Sequence, residues 1–271
     1  MRLDQLKQLL DGIFDQYHRP EYLGSDPLLM VHRFSAPEDR EIAALFAALL
    51  AYGNVKQINA SLDRLFTAME WQPRRFIEQF SWPDASAALR GFKHRFADEY
   101  DILCLSWLLH QALARQPLEQ IFASCIAPGE TDLANAAGRF FDSLQSGSFA
   151  PHFNRHEILG RSSFKHLMPR ADKGSACKRV HLFLRWMIRP ADGVDLGIWQ
   201  SLSPALLLVP IDTHLFKISR ELRLSRLKTP SLEFSRQVTA RLRKFDPADP
   251  ARYDFSLCRL GILKSSLPGK L

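Results

Sequence analysis

The chain has 271 residues, 46% of them hydrophobic and 24% charged, with a formal net charge of +7 and a pI near 9.4. That length suffices for one large domain or two lobes with a shared core. No apolar run approaches the roughly 20 residues of a membrane span, and the N-terminal residues begin an amphipathic helix rather than a signal peptide, so a cytoplasmic protein without a membrane partner is expected.

Helical periodicity dominates the chain in order. Residues 4–17 place Leu6, Leu9, Leu10, Ile13, Phe14 and Tyr17 on one face. Ser35 and Glu38 have capping-box spacing, with Pro37 near the start of the next helix. That helix, about 37–52, carries the apolar stripe Ile42, Leu45, Phe46, Leu49 and Leu50, with alanines that permit close packing. Gly53-Asn54 ends it, and a helix over about 55–70 follows. Residues 71–98 read as short helices with loops around Pro73 and Pro83. Helices are then expected at about 99–114, 117–126 and 130–145. Residues 146–176 read as loop-rich, around Gly147, Pro151, Gly160, Pro169 and Gly174. Further helices are expected at about 176–189, 213–222, 231–244 and 250–263, the last with Asp249 as N-cap and Pro250 in first position. No strand alternation is evident, so the class is all-α.

Cys104, Cys125, Cys177 and Cys258 are scattered, and no two stand at CxxC spacing. A disulfide framework, a metal site and an iron–sulfur cluster are therefore not expected. The charge is better placed. Residues 151–190 hold nine Lys/Arg against Glu157 and Asp172, while the other 27 bases are matched by 27 acids. Such a concentration suggests a polyanion partner, with nucleic acid first. In the 176–189 helix, Lys178, Arg185 and Arg189 share a face. Its approach, Arg170-Ala171-Asp172-Lys173-Gly174-Ser175, suits a phosphate at a helix N-terminus. Lys165, Arg170, Lys173, Gly174, Ser175, Arg179, Arg185 and Arg189 are the candidate nucleic-acid contacts.

A single acid follows this segment. Asp212 lies in Val209-Pro210-Ile211-Asp212-Thr213-His214, with no other acid between Asp195 and Glu221. Asp there is a natural N-cap, and it is equally an acid available for chemistry. A carboxylate can stabilise the charge that grows on a sugar as its base departs.

The segment Val-Pro-Ile-Asp-Thr-His-Leu-Phe-Lys-Ile-Ser-Arg resembles the catalytic-aspartate segment of the helix-hairpin-helix (HhH-GPD) DNA glycosylase superfamily. Leu45 to Gly53 is similar to the apolar helix before that superfamily's lesion-probing loop, with Tyr52-Gly53-Asn54 where a glutamine is frequent. The chain also resembles a bacterial family of unknown function that shares Arg-Trp-Met, the Pro-x-Asp segment and a Tyr-Asp-Phe like Tyr253-Asp254-Phe255. The resemblance implies a two-lobed helical bundle with a cleft between the lobes. One globular unit, 1–271, would comprise a lobe of 37–145 and a lobe of 1–36 plus 146–271. It implies a monomeric N-glycosylase acting on duplex DNA, with or without AP lyase activity. Asp212 would be catalytic, Lys178 the candidate Schiff-base nucleophile and His214 a nucleic-acid contact. The hairpin motif departs from the superfamily's pattern, since the region of Pro190 to Asp195 offers only Gly193 and Gly197, and the superfamily's C-terminal cysteine cluster is absent. The alternative expectation is a nucleic-acid-binding protein with the fold and without the chemistry.

Overall fold

The computed structural model describes residues 2–170 and 173–263. Contacts divide the chain into two compact units. Met1–Gly24, Glu130–Ala134 and Ala171–Leu271 form the first, and Ser25–Gly129 with Asn135–Arg170 the second. Residues 25–36 and 146–170 accordingly pack with the second unit.

The first unit opens with α1 (Leu3–Tyr17), which buries Leu6, Leu10, Ile13 and Tyr17, the face expected from its periodicity. The second unit follows with α2 (Leu28–Val31) and α3 (Pro37–Leu49). Pro37 holds the first position of α3, but Ala36 is its cap and makes no side-chain bond, so the expected Ser35 capping box does not form. Every residue from Glu41 to Leu49 is buried. A helix apolar on all sides belongs at the centre of a fold, and the alanines let neighbours approach. Asn54 caps α4 (Val55–Ala68) by accepting from the Lys56 amide at 2.9 Å. Prolines open α5 (Pro73–Glu78) and α6 (Trp82–Ala88).

A small antiparallel hairpin then departs from the all-helical expectation: β1 (Lys93–His94) pairs with β2 (Ala97–Asp98). Strands of two residues are too short to show a period of two. Asp98 caps α7 (Glu99–Leu113), accepting from the Tyr100 and Asp101 amides. After α8 (Leu118–Ser124) and α9 (Ala134–Gln145), the stretch expected to be loop-rich holds two short helices, α10 (Arg155–Gly160) and α11 (Ser162–Leu167). Between them, Arg161 binds Asp98 at 2.6 Å and Asp101 at 3.0 Å.

The first unit resumes with α12 (Lys178–Ile188), α13 (Thr213–Glu221), α14 (Leu232–Leu242) and α15 (Asp254–Ile262). Helix α15 packs against α1 and α13, and Tyr253 before it joins its Leu257 and Leu260 with Leu10, Ile13, Leu215, Phe234 and Val238 in one core. The closing helix begins four residues later than its proline signal suggests. Residues 250–253 are a turn, and Asp249 accepts from Arg189 Nε at 2.9 Å rather than capping a helix.

Candidate functional site

The buried run Leu207 to Ile211 leads into Asp212. Helix α14 fixes that run: the Val209 amide donates to Thr239 Oγ1 at 3.0 Å, and the Val209 carbonyl accepts from Ser235 Oγ at 2.6 Å. Asp212 is then extended and caps α13, with Oδ1 accepting from the Leu215 amide at 2.7 Å. Its other oxygen faces outward from the cap. Oδ2 accepts from Cys258 Sγ of α15 at 3.3 Å and stands 3.6 Å from Lys178 Nζ, the first side chain of α12. Three helices thus converge on one carboxylate whose side chain is 14% exposed.

Burial alone would push the Asp212 carboxyl up. The Lys178 charge, the Leu215 amide and the Cys258 thiol outweigh it, so the group is held below the usual carboxylate range. The reverse holds for Cys258, whose thiol burial and Asp212 push up, so it stays a neutral donor. His214, the second residue of α13, is half-buried. Gly261 lets α15 pass close to it, since a Cβ there would lie 2.9 Å from His214 Cβ.

The approach to α12 is held by α14. Gly174, left-handed at φ +82°, accepts from the Leu232 amide at 3.0 Å, and Ser175 bridges to Ser231. Lys173, Gly174 and Ser175 are exposed, and Arg179 is half-buried. Ala171 and Asp172 lie outside the described residues. Lys165 and Arg170 belong to the second unit, where Lys165 Nζ donates to the Gly160 carbonyl at 3.3 Å and Arg170 pairs with Asp142.

Arg185 and Arg189 do not present an open face. They are 1% and 4% exposed. Arg185 binds Asp195 at 3.0 Å and also Asp254, and Arg189 binds Asp195, Asp192 at 3.2 Å and Asp249 at 2.9 Å. Four carboxylates surround two guanidiniums, which leaves neither arginine a side to offer a phosphate. Burial lifts Asp254 to about 6 against the pull of Arg185. His18 completes this cluster, bonded to Asp192 at 2.8 Å. His18, Asp192 and Asp195 are near enough to share a cation, but Arg189 already meets both carboxylates. His181, of the same helix, is buried and held neutral, with burial lowering its pKa to about 4. Trp186 and Trp199 are core residues.

Two features escaped sequence reasoning. Cys258 carried no spacing signal, because it reaches Asp212 only through the packing of α15 on α13. In the second unit the hairpin tip presents Phe96, 58% exposed, with its ring stacked 6.1 Å from Tyr52. Its neighbour Arg95 is left-handed at φ +51° and passes so close to Gly53 that a Cβ there would meet Arg95 Nη1 at 2.8 Å.

The fold and the site define a mostly helical protein with a small hairpin, in which a lysine and an aspartate meet where three helices join. Residues 26–263 match a family described as protein of unknown function, DUF2400, and the chain belongs to that family. Asp212 and Lys178 both lie within the matched span. No curated protein and no solved structure matches the chain.

Proposed function

We propose that the protein is a DNA repair enzyme, an N-glycosylase that removes a damaged base from DNA, with AP lyase activity where Lys178 serves as nucleophile. The observation that carries this reading is the approach of Lys178 Nζ to within 3.6 Å of Asp212 Oδ2 at a sheltered helix junction. An acid and an amine drawn from separate parts of the sequence stand together.

The chemistry follows from the pair. Cleaving a glycosidic bond builds positive charge on the sugar, and an ionised carboxylate stabilises it. Asp212, held below the usual range, supplies that charge at neutral pH. An ammonium must shed its proton to solvent before it attacks, because the Asp212 carboxyl, held below its usual range, stays ionised. The lysine lone pair then bonds to the sugar C1′, while the base leaves with the electron pair of the broken bond and takes a proton from solvent. Opening of the sugar ring gives a Schiff base, which borohydride reduces to a stable amine. The exposed Phe96 beside Arg95 suits stacking on a base near a cation that meets the backbone.

A second reading rests on the same carboxylate. Asp212 Oδ1 is committed to the Leu215 amide and Oδ2 to Cys258, as in a cap that serves only the fold of a DNA-binding protein. Borohydride trapping on abasic-site and oxidised-purine duplexes separates the two. The glycosylase–lyase reading expects a covalent adduct that disappears in Lys178→Ala, and base release that disappears in Asp212→Asn while duplex binding persists. Absence of both adduct and base release across a panel of lesions would favour the binding protein.

A further inference from the structure

Neutrality outside residues 151–190 is a sum, and it hides a second basic stretch. Residues 213–244 also hold nine Lys/Arg, against only Glu221 and Glu233. Within them, Lys217, Arg220, Arg223, Arg226 and Lys228 are all exposed. They follow one another along the second half of α13 and the loop beyond it. The contrast with the arginines of α12 is direct. Arg185 and Arg189 are enclosed by carboxylates, whereas these five make no ion pair among the described residues. The Arg220 guanidinium lies over the Phe216 ring, 5.9 Å from its centroid.

Arg223 adds an argument of its own. It ends α13 in the left-handed region at φ +56°, with the Leu224 amide returning to the Ser219 carbonyl at 2.8 Å. This is the position after a helix that favours glycine. An arginine there sacrifices stability for a side chain.

We propose that Lys217, Arg220, Arg223, Arg226 and Lys228 form a track for the phosphodiester backbone of nucleic acid, beside the Asp212 site and continuous with it along α13. This partner rests on the glycosylase reading, but the surface also argues for it. Arginine forks match phosphate oxygens. A lipid surface would call for apolar anchors among the cations, and here Leu222 and Leu224 are buried while no large apolar residue of the stretch is exposed. The Lys228 end also lies close to the exposed Lys173, Gly174 and Ser175, because Ser175 bridges to Ser231. From Asp212 to Arg220 is eight residues of helix, about 12 Å at ~1.5 Å per residue. At ~3.4 Å per base pair, the track meets phosphates about three to four pairs from the reacting nucleotide.

The test is binding of an undamaged 20-base-pair duplex, followed by fluorescence anisotropy across a potassium chloride series. The Arg223→Gly/Arg226→Gln/Lys228→Gln variant is expected to flatten the slope of log K against log salt by about 2.7, since each phosphate contact contributes about 0.9. Its thermal midpoint should hold or rise, because glycine suits the position of Arg223. A control with the same loss of charge in the second unit, Lys56→Gln/Arg90→Gln/Arg115→Gln, should keep the wild-type slope. The proposal is overturned by an unchanged slope in the track variant, by an equal fall in the control, or by wild-type protein that binds phosphatidylserine vesicles and no duplex. No base release enters this measurement. A flattened slope with no product from any lesion would therefore uphold the track and defeat the glycosylase reading.

Discussion

Asp212 does two jobs with two oxygens, and substitution can separate them. Oδ1 caps α13 through the Leu215 amide, and Oδ2 faces Lys178 and Cys258. Asparagine is as good an N-cap as aspartate, whereas alanine in place of a capping residue costs about 1 kcal/mol. Asp212→Asn should therefore keep a thermal midpoint near wild type, and Asp212→Ala should be less stable by about 1 kcal/mol, with a lower midpoint. Both should lose base release, since neither supplies a negative charge. Equal midpoints for the two variants would mean that the cap contributes nothing, and retained activity in Asp212→Asn would mean that the charge is idle. The lowered carboxyl makes the same point through pH. A depressed pKa contributes stability that is present above the unfolded value and lost as acid protonates the folded group, so the Lys178–Asp212 pair is intact throughout the neutral range.

At the scale of the helix, α12 shows what periodicity conveys and what it omits. Its sequence makes the amphipathic pattern plain, and the helix forms close to where it is expected. The spacing also puts Lys178, Arg185 and Arg189 along one side. It cannot say that Asp195, Asp249 and Asp254 wait there, because the last two come from more than 50 residues away and are brought in by α15 and the turn before it. Cys258 was hidden for the same reason. Asp212, by contrast, was legible because its cap is local to its own helix. The buried network carries its own prediction. Burial raises Asp254 to about 6. Between the ordinary carboxyl range and that value, the folded protein holds a proton that the unfolded chain releases. Its contribution to stability is therefore full below the unfolded pKa and lost as pH rises through about 6. Asp254→Asn keeps an oxygen for Arg185 and cannot titrate. Urea midpoints at pH 4.5 and 6.5 should show wild type losing more stability over that interval than the variant does. A parallel pH dependence in the two proteins would place the titration elsewhere.

Over the whole molecule, the number that matters is how many positive charges remain unmatched, and where. A net charge of +7 predicts attraction to polyanions, but a base already joined to a carboxylate has little left to give a phosphate. Residues 151–190 look basic in sequence, yet Arg161, Arg170, Arg185 and Arg189 each sit against acids drawn from elsewhere in the chain. Five exposed cations that make no ion pair among the described residues follow one another instead along residues 217–228, a stretch that an overall balance of charges conceals. Arg170 offers the sharpest comparison, since its side chain is 32% exposed and still bonded to Asp142. Were it a phosphate contact, Arg170→Gln would flatten the salt dependence of duplex binding by about 0.9. Because its charge is already met within the protein, the expected slope is that of wild type. Releasing Asp142 next to any bound phosphate would weaken affinity at low salt without changing the number of ions displaced. A fall of about 0.9 in that titration would show that Arg170 leaves Asp142 to meet the backbone, and would return the basic approach of α12 to the binding surface.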